Sequence, residues 1–292
     1  MYYKKSVGEI IFDVLNYCAM ILLVIATLYP FWYVLVASLS NPTAVAQRGG
    51  LMLWVEGFTL EAYRTVAQNP NVWIGYKNTI IYVVGGTVVN LFMTTLGAYG
   101  LSRRNLYGKG VIMKLIVFTM FFSGGLIPTF LLVKSLGMVD TRWAMIIPGA
   151  ISTYNMIIMR TAFQGIPVSL EESARIDGAN DFTIMWRIIV PLSLPVMAVM
   201  TLFYAVGHWN SFFNALVYLR RRELFPLQLI LREILITQSL YEMMTNVVTD
   251  REPIGETIKY ATIIVSTVPI LCLYPFLQKY FVKGVLIGSL KE

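Results

Sequence analysis

The feature that most constrains this chain is a series of long apolar stretches that contain no Asp, Glu, Lys or Arg. A helix needs about 20 apolar residues to cross a hydrocarbon layer about 30 Å thick. Stretches of this kind recur along the whole sequence, at residues 14–47, 78–102, 115–133, 143–159, 188–219 and 260–278. A buried helix of a soluble protein explains one such stretch, but not all of them together. The sequence therefore predicts an all-α membrane protein.

We expect six transmembrane helices in a single membrane domain over residues 14–290, near 14–39, 78–102, 112–133, 143–163, 188–216 and 258–278. The composition agrees, because only 13% of the residues are charged, about half the share found in soluble domains. A cleavable signal peptide is the alternative for the first stretch, since Ala44-Val45-Ala46 resembles a cleavage site. That stretch is longer than the apolar core of a signal peptide, so a permanent anchor is favoured.

The distribution of basic residues predicts the orientation in the membrane. Lys4 and Lys5 precede the first span, and Arg103, Arg104, Lys109 and Lys114 lie between the second and third. By the positive-inside rule, the N-terminal segment 1–13 and the C-terminal tail 279–292 are both cytoplasmic. Segments 40–76 and 220–256 are then extracytoplasmic. The net charge of +7 is explained by anchors at helix ends, and no soluble basic domain is present to bind nucleic acid.

The loop 165–190 between the fourth and fifth spans, cytoplasmic in this topology, carries local structural signals. Ser169 followed by Glu172 has the spacing of a capping box, which predicts that a helix starts at Ser169. Gly178 permits the left-handed turn that ends this helix. A second helix begins near Asp181 and runs into Pro191. The first helix mixes charged and apolar residues, which suits either a docking surface or an ordinary solvated connection.

The same loop resembles the "EAA" loop of permease subunits of binding-protein-dependent ABC importers. The matching pattern is Glu172-Ser173-Ala174, three residues, Gly178, nine residues, Ile188, one residue and Val190-Pro191. It departs from the family pattern in having Ser173 for Ala and Val190 for Leu. The extension through Asp177-Gly178-Ala179 is similar to the carbohydrate-uptake branch, and so are Asn78-Thr79, Trp209-Asn210, Phe213-Asn214 and the tail 278–285.

The resemblance implies that the loop helix is a coupling helix that sits in a cleft of an ATPase subunit. The ATPase-coupling residues would be Ser169, Glu171, Glu172, Ser173, Ala174, Asp177, Gly178, Ala179 and Pro191. It further implies a multi-pass subunit of the bacterial cytoplasmic (inner) membrane that imports oligosaccharides. Its partners would be a second homologous permease (as a heterodimer), two ATPase subunits and an extracytoplasmic solute-binding protein.

Catalytic and metal-binding motifs are missing from the sequence. It contains no Gly-x-x-x-x-Gly-Lys-Ser/Thr phosphate loop, and its single histidine makes a metal site improbable. We therefore expect no enzyme activity and no bound cofactor, with ATP and Mg²⁺ held by the partner ATPase. Alternatives are an ABC importer for amino acids or phosphate, or an ion-coupled secondary transporter. The last ordinarily needs ionisable residues inside the membrane, and here only His208 qualifies.

Polar residues inside apolar spans are candidates for the cargo pathway. They are Asn90, Thr94, Tyr154, Asn155, Trp209, Asn210 and Asn214. On one continuous helix, Asn210 and Asn214 would lie one turn apart on the same face, beside the aromatic ring that sugar binding needs. Hydrogen bonding between helices is the alternative role for all of them, and it is the more common one.

Overall fold

The computed structural model describes residues 6–48, 50–245, 255 and 257–272, and every regular element in those ranges is a helix. The residues group into two compact units. The first contains the described residues up to Asn69 and those within 233–267, and the second contains 70–232 and those from 268 onward. In chain order the helices are α1 (Val7–Leu39), α2 (Pro42–Arg48), α3 (Glu61–Gln68), α4 (Pro70–Ser102), α5 (Lys109–Phe121), α6 (Leu126–Ser135), α7 (Trp143–Ile146), α8 (Thr153–Gln164), α9 (Val168–Ile176), α10 (Asp181–Ile184), α11 (Val190–Leu192), α12 (Leu194–Trp209), α13 (Phe213–Tyr218), α14 (Leu227–Thr245) and α15 (Thr257–Cys272).

In the first unit, α1 is apolar on all sides and exposed over most of its length. A helix of this composition is stable with lipid, not water, around it. Only its last turn is buried, where Val36 and Ala37 pack with Val45 and Met52 of the following segment. We therefore expect most of α1 to face lipid, whereas its last turn contacts the following segment of the chain.

In the second unit, α4 is the central helix and packs most extensively against α8 and α12. Two glycines on α4 let these neighbours approach closely. A Cβ atom placed on Gly86 would lie 2.3 Å from Nε2 of His208, and one on Gly97 would lie 3.1 Å from Sδ of Met156. The core at the C-terminal end of α4 includes Ala98 and Tyr99, together with Met156, Met159, Phe163, Ile184, Met185, Ile189 and Met200.

The predicted spans differ in how far they form continuous helices. Helices α1 and α4 are each long and apolar enough to cross a membrane alone. The third predicted span is divided into α5 and α6, between which the chain bends by 111°. The fifth contains a bend of 86° before α12. Counting each bent pair as one span gives up to four such elements within the described ranges.

The fourth predicted span is interrupted, and the sixth lies only partly within the described residues. The fourth, 143–163, consists of α7 and α8, separated by a break that contains Pro148 and Gly149. The sixth begins with α15, while its end at 273–278 lies outside the described residues, as do Lys4, Lys5 and the tail 279–292. An all-helical membrane protein with several apolar spans is thus confirmed.

Candidate coupling site in the loop 165–190

The first helix of the loop, α9, begins one residue before the predicted position. Pro167 is its N-cap, and the N–H of Leu170 already donates to the carbonyl of Pro167 at 3.3 Å. Ser169 therefore lies inside the first turn and makes no side-chain cap, so the prediction of a capping box with Glu172 was wrong. The extended backbone of Pro167, with ψ of 131°, supplies the entry into the helix instead.

The predicted elbow at Gly178 is confirmed. Gly178 has φ of +82°, the left-handed conformation that glycine adopts without steric cost. The N–H of Gly178 donates to the carbonyl of Arg175 at 3.0 Å, and the N–H of Ala179 donates to that of Ala174 at 2.9 Å. This pair of bonds is a Schellman motif. Asn180 then caps α10 by accepting from the N–H of Thr183 at 2.8 Å.

Helix α9 presents two different faces. The exposed face contains Ser169, Glu172, Ser173 and Ile176, the last three of which lie three, four and seven positions after Ser169, as residues on one side of a helix do. Ile176 is 86% exposed and is the most exposed apolar side chain of α9, which also exposes Leu170 at 43%. Asp177 and Gly178, which follow α9, are exposed as well.

The opposite face of α9 holds the loop against the rest of the unit. Ala174, and Ala179 beyond the elbow, pack against the core around Met159 and Phe163. Glu171 also lies on this side and forms an ion pair with Arg103, which directly follows α4. The two side chains are only 14% and 19% exposed. Of the predicted coupling residues, Glu171, Ala174 and Ala179 therefore position the loop, whereas the exposed ones are available to a partner.

Pro191 marks an irregular stretch in the helix that leads back from the loop. Residues Met185–Ile189 form a π-turn, in which the N–H of Val190 donates to the carbonyl of Met185. Proline has no N–H and its ring excludes the carbonyl four residues earlier, which favours such a widened turn. The chain then bends by 86° between Leu192 and Leu194. The sequence analysis identified Pro191 as part of the loop pattern but did not predict this bend.

Two cargo-pathway candidates on α4 are used for packing between helices. Asn90 is buried, donates to the carbonyl of Gly149 at 2.6 Å, and lies 2.7 Å from Nε2 of His208. Thr94 is buried and shares a hydrogen bond of 2.6 Å with the hydroxyl of Tyr204. These contacts join α4 to α12 and to the break before α8. They match the alternative role of hydrogen bonding between helices.

The other candidates are spread over different environments. Asn155 is buried and Tyr154 is 58% exposed. Trp209 is buried against the ring of Tyr76, with centroids 6.3 Å apart in an edge arrangement. Asn210 and Asn214 are both exposed.

The predicted continuous helix through Asn210 and Asn214 was wrong. Helix α12 ends at Trp209 and α13 begins only at Phe213, so the two amides do not lie one turn apart on the same helix. The structure therefore gives no single polar site made of all seven candidates.

Sequence reasoning missed the residues that fasten the loop. Arg103 was used only as a basic residue that predicts the orientation, and Tyr99 was not singled out. The guanidinium of Arg103 lies over the Tyr99 ring, 4.5 Å from its centroid. The Tyr99 hydroxyl donates to Oδ1 of Asp181 at 3.4 Å, and Asp181 pairs with Arg175. No local pattern signals the bond between Tyr99 and Asp181, because it joins segments 82 residues apart in sequence.

Comparison with known proteins identifies the family to which this loop and these helices belong. The family described as "Binding-protein-dependent transport system inner membrane component" matches residues 102–287, which include the whole loop. The chain is 44% identical over 282 residues to the polygalacturonan/rhamnogalacturonan transport system permease protein YtcP of Bacillus subtilis (strain 168), covering 96% of this chain and 98% of that protein. It is 26% identical to the arabinooligosaccharides transport system permease protein AraQ of the same organism, covering 90% of each chain.

A solved structure extends the similarity to three dimensions. One chain in the crystal structure of a bacterial ABC transporter involved in the import of the acidic polysaccharide alginate superposes with a TM-score of 0.87. It is 36% identical in sequence, and the match covers 96% of this chain and 99% of that one. The present chain therefore belongs to the family of inner membrane components of binding-protein-dependent ABC transport systems.

Proposed function

We propose that this chain imports acidic oligosaccharides and receives the work for that import through the exposed face of α9. The observation that carries the proposal is the arrangement of α9. One face is packed and ion-paired, while the other presents Glu172, Ser173 and Ile176 together. A charged rim around an exposed apolar side chain is the composition expected of a docking surface for a protein partner.

As a member of its family, the chain is a multi-pass permease subunit of an ABC importer and not an enzyme. ATP is hydrolysed by a separate subunit, and cargo is delivered by an extracytoplasmic binding protein. Within this frame we assign six spans, with both termini and the loop 165–190 on the cytoplasmic side. Four of the six correspond to α1, α4 and the two bent pairs of apolar helices, each pair counted as one span.

The cargo proposal depends on relatives and on charge. Polygalacturonan and alginate, which appear in the descriptions of a 44% identical relative and a 36% identical structure, are both polymers of uronic acids. The net charge of +7 and the run Arg220-Arg221-Arg222 make the chain compatible with anionic cargo. Neutral arabinooligosaccharides are the second candidate, because a 26% identical relative is described as transporting them.

A binding assay on the cognate binding protein separates these cargoes. We expect it to bind oligogalacturonate or alginate oligosaccharides more tightly than arabinooligosaccharides, amino acids or phosphate. Preferential binding of an amino acid or phosphate would refute the carbohydrate assignment. Preferential binding of the neutral sugar would be compatible with the importer assignment but would refute the acidic cargo.

The full assembly would contain a second, homologous permease and two ATPase subunits, with α9 of each permease on one ATPase. We expect Glu172→Arg to reduce co-purification of the ATPase with the permease pair, because it reverses the charge at the centre of the exposed face. The matched control is Glu61→Arg, an exposed glutamate at the start of α3. Equal recovery of the ATPase with both variants would refute docking at α9.

A further inference from the structure

The C-terminal end of α4 is held by basic side chains from two other elements. The last carbonyls of a helix have no partner inside the helix and accept readily from cations. Nε of Arg160 on α8 donates to the carbonyl of Leu101 at 3.0 Å. Nζ of Lys109 donates to the carbonyl of Arg103 at 2.9 Å. This end of α4 is therefore fixed in position.

Arg103 extends this fixed end toward the coupling loop. Its Nε and Nη2 donate to Oγ of Ser102 at 3.0 and 2.8 Å, and its guanidinium lies over the ring of Tyr99. With these contacts made, its remaining face pairs with Glu171 on α9. A partly buried pair of this kind resists separation better than an exposed one, because breaking it leaves a charge in a poorly solvated place.

Both arms of the Gly178 elbow contact the C-terminal end of α4, one at Arg103 directly after the helix and the other at Tyr99 in its last turn. The first arm, α9, is attached by the pair of Glu171 with Arg103. The second arm, α10, is attached by the hydrogen bond from Tyr99 to Asp181. Arg175 on α9 also pairs with Asp181 and closes the elbow, although both of these side chains are more than half exposed. Exposed pairs contribute little, so Arg103 makes the stronger attachment.

We infer that Arg103 is a positioning residue that passes movement of α9 to α4. This inference rests on the proposed docking of an ATPase at α9. The covalent route from α9 toward α12 contains the Gly178 turn, a π-turn and a bend of 86°, all of which can absorb movement. The Arg103 contact bypasses these joints. Through the buried bonds of Asn90 and Thr94, movement of α4 would then reach α12 and the break before α8.

The test uses the complete assembly in proteoliposomes and measures cargo transported per ATP hydrolysed. Arg103→Gln removes the charge of the ion pair, and Arg104→Gln removes that of the neighbouring exposed arginine as the control. We expect Arg103→Gln to retain the ATPase but to transport about tenfold less cargo per ATP, within the range of coupling changes seen for single contacts. Arg104→Gln should leave the ratio unchanged.

A charge swap separates loss of coupling from a damaged fold. Arg103→Glu and Glu171→Arg should each lower the ratio, and the double variant should restore most of it, because the pair is re-formed with opposite polarity. Equal ratios for Arg103→Gln and Arg104→Gln, or no recovery in the double variant, would overturn the inference. Co-purification of the ATPase is scored separately with Glu172→Arg, so failure of docking at α9 is not confused with failure of this inference.

Discussion

Polar residues lie on both α4 and α9, but the two helices use them in opposite ways. On α4 the polar side chains Asn78, Thr79, Asn90 and Thr94 are buried, and each is hydrogen-bonded to another segment of the chain. On α9 most polar side chains are exposed, and only Glu171 is drawn into the structure. The sequence marks both sets as unusual. Burial and pairing show that the first set builds the helix packing, and we propose that the exposed face of the second meets a partner.

The close packing of α4, one side of this contrast, is tested by a substitution at Gly86, for which we expect the largest loss of stability. Gly86→Ala places a methyl group against the His208 ring, where an ideal Cβ would be only 2.3 Å from Nε2. Because overpacking forces helices apart, we expect a loss of about 1–3 kcal/mol of stability, measured as a lower thermal unfolding midpoint. Gly100→Ala is the control, since nothing lies within 4 Å of its Cβ position. It should leave the midpoint unchanged or slightly raised, and equal shifts would contradict close packing of α4 on α12.

A second variant tests whether the buried polar groups are structural. Asn90→Leu leaves His208 and the Gly149 carbonyl without their partner, at an expected cost of about 1–2 kcal/mol. Asn16→Leu, on the exposed surface of α1, should have no such effect on the unfolding midpoint. If Asn90→Leu instead abolished transport without lowering the midpoint, Asn90 would belong to the cargo pathway, and the contrast between α4 and α9 would fail.

The smallest effect concerns a paired group in the connection between α6 and α7. Oδ1 of Asp140 accepts from the N–H groups of Arg221 and Arg220, both at 2.9 Å, and these bonds hold the pKa of its carboxyl below the ordinary value. A depressed pKa stabilises the fold above the ordinary value, about 4, and this contribution is lost as the pH falls through the lower folded pKa.

Asp140→Asn retains a side chain that tolerates the positive φ of 62° at this position. It should lower the unfolding midpoint slightly at pH 7, and the midpoint of the variant should fall less than that of the parent chain between pH 5 and 3. Because the Arg221 side chain is 60% exposed, we expect a difference of at most about 1 kcal/mol. An unchanged fall in the variant would show that the Asp140 bonds do not contribute.

Local rules predicted some elements of the coupling loop and failed on others for identifiable reasons. Gly178 was predictable, because few residues other than glycine adopt a positive φ at a helix end. The start of α9 was not, because Pro167 provides an N-cap by backbone geometry that the pattern of Ser169 and Glu172 does not contain. Arg103 and Tyr99 could not be recognised, since their importance depends on which distant segments pack beside them.

The apolar stretches predicted where membrane-length segments occur but not where their helices break. The break before α8 is stabilised by a long-range bond, because the carbonyl of Gly149 accepts from Asn90. The break between Trp209 and Phe213 places Asn210 and Asn214 on separate helices. The spacing of charged residues does not show where long-range hydrogen bonds satisfy the backbone groups that a helix break leaves free. Interruptions of helices at membrane depth are tolerated only where neighbouring groups satisfy the freed backbone.

The most direct test of the central claim is cross-linking of single cysteines on α9 to the ATPase in the assembled transporter. The background is a chain in which Cys18 and Cys272 are replaced by serine. Ile176→Cys, at the most exposed apolar position of α9, should form a cross-link to the ATPase, whereas Ala174→Cys, on the packed face, should not. Absence of the cross-link at position 176, together with its labelling by an impermeant thiol reagent from outside the cell, would contradict the account.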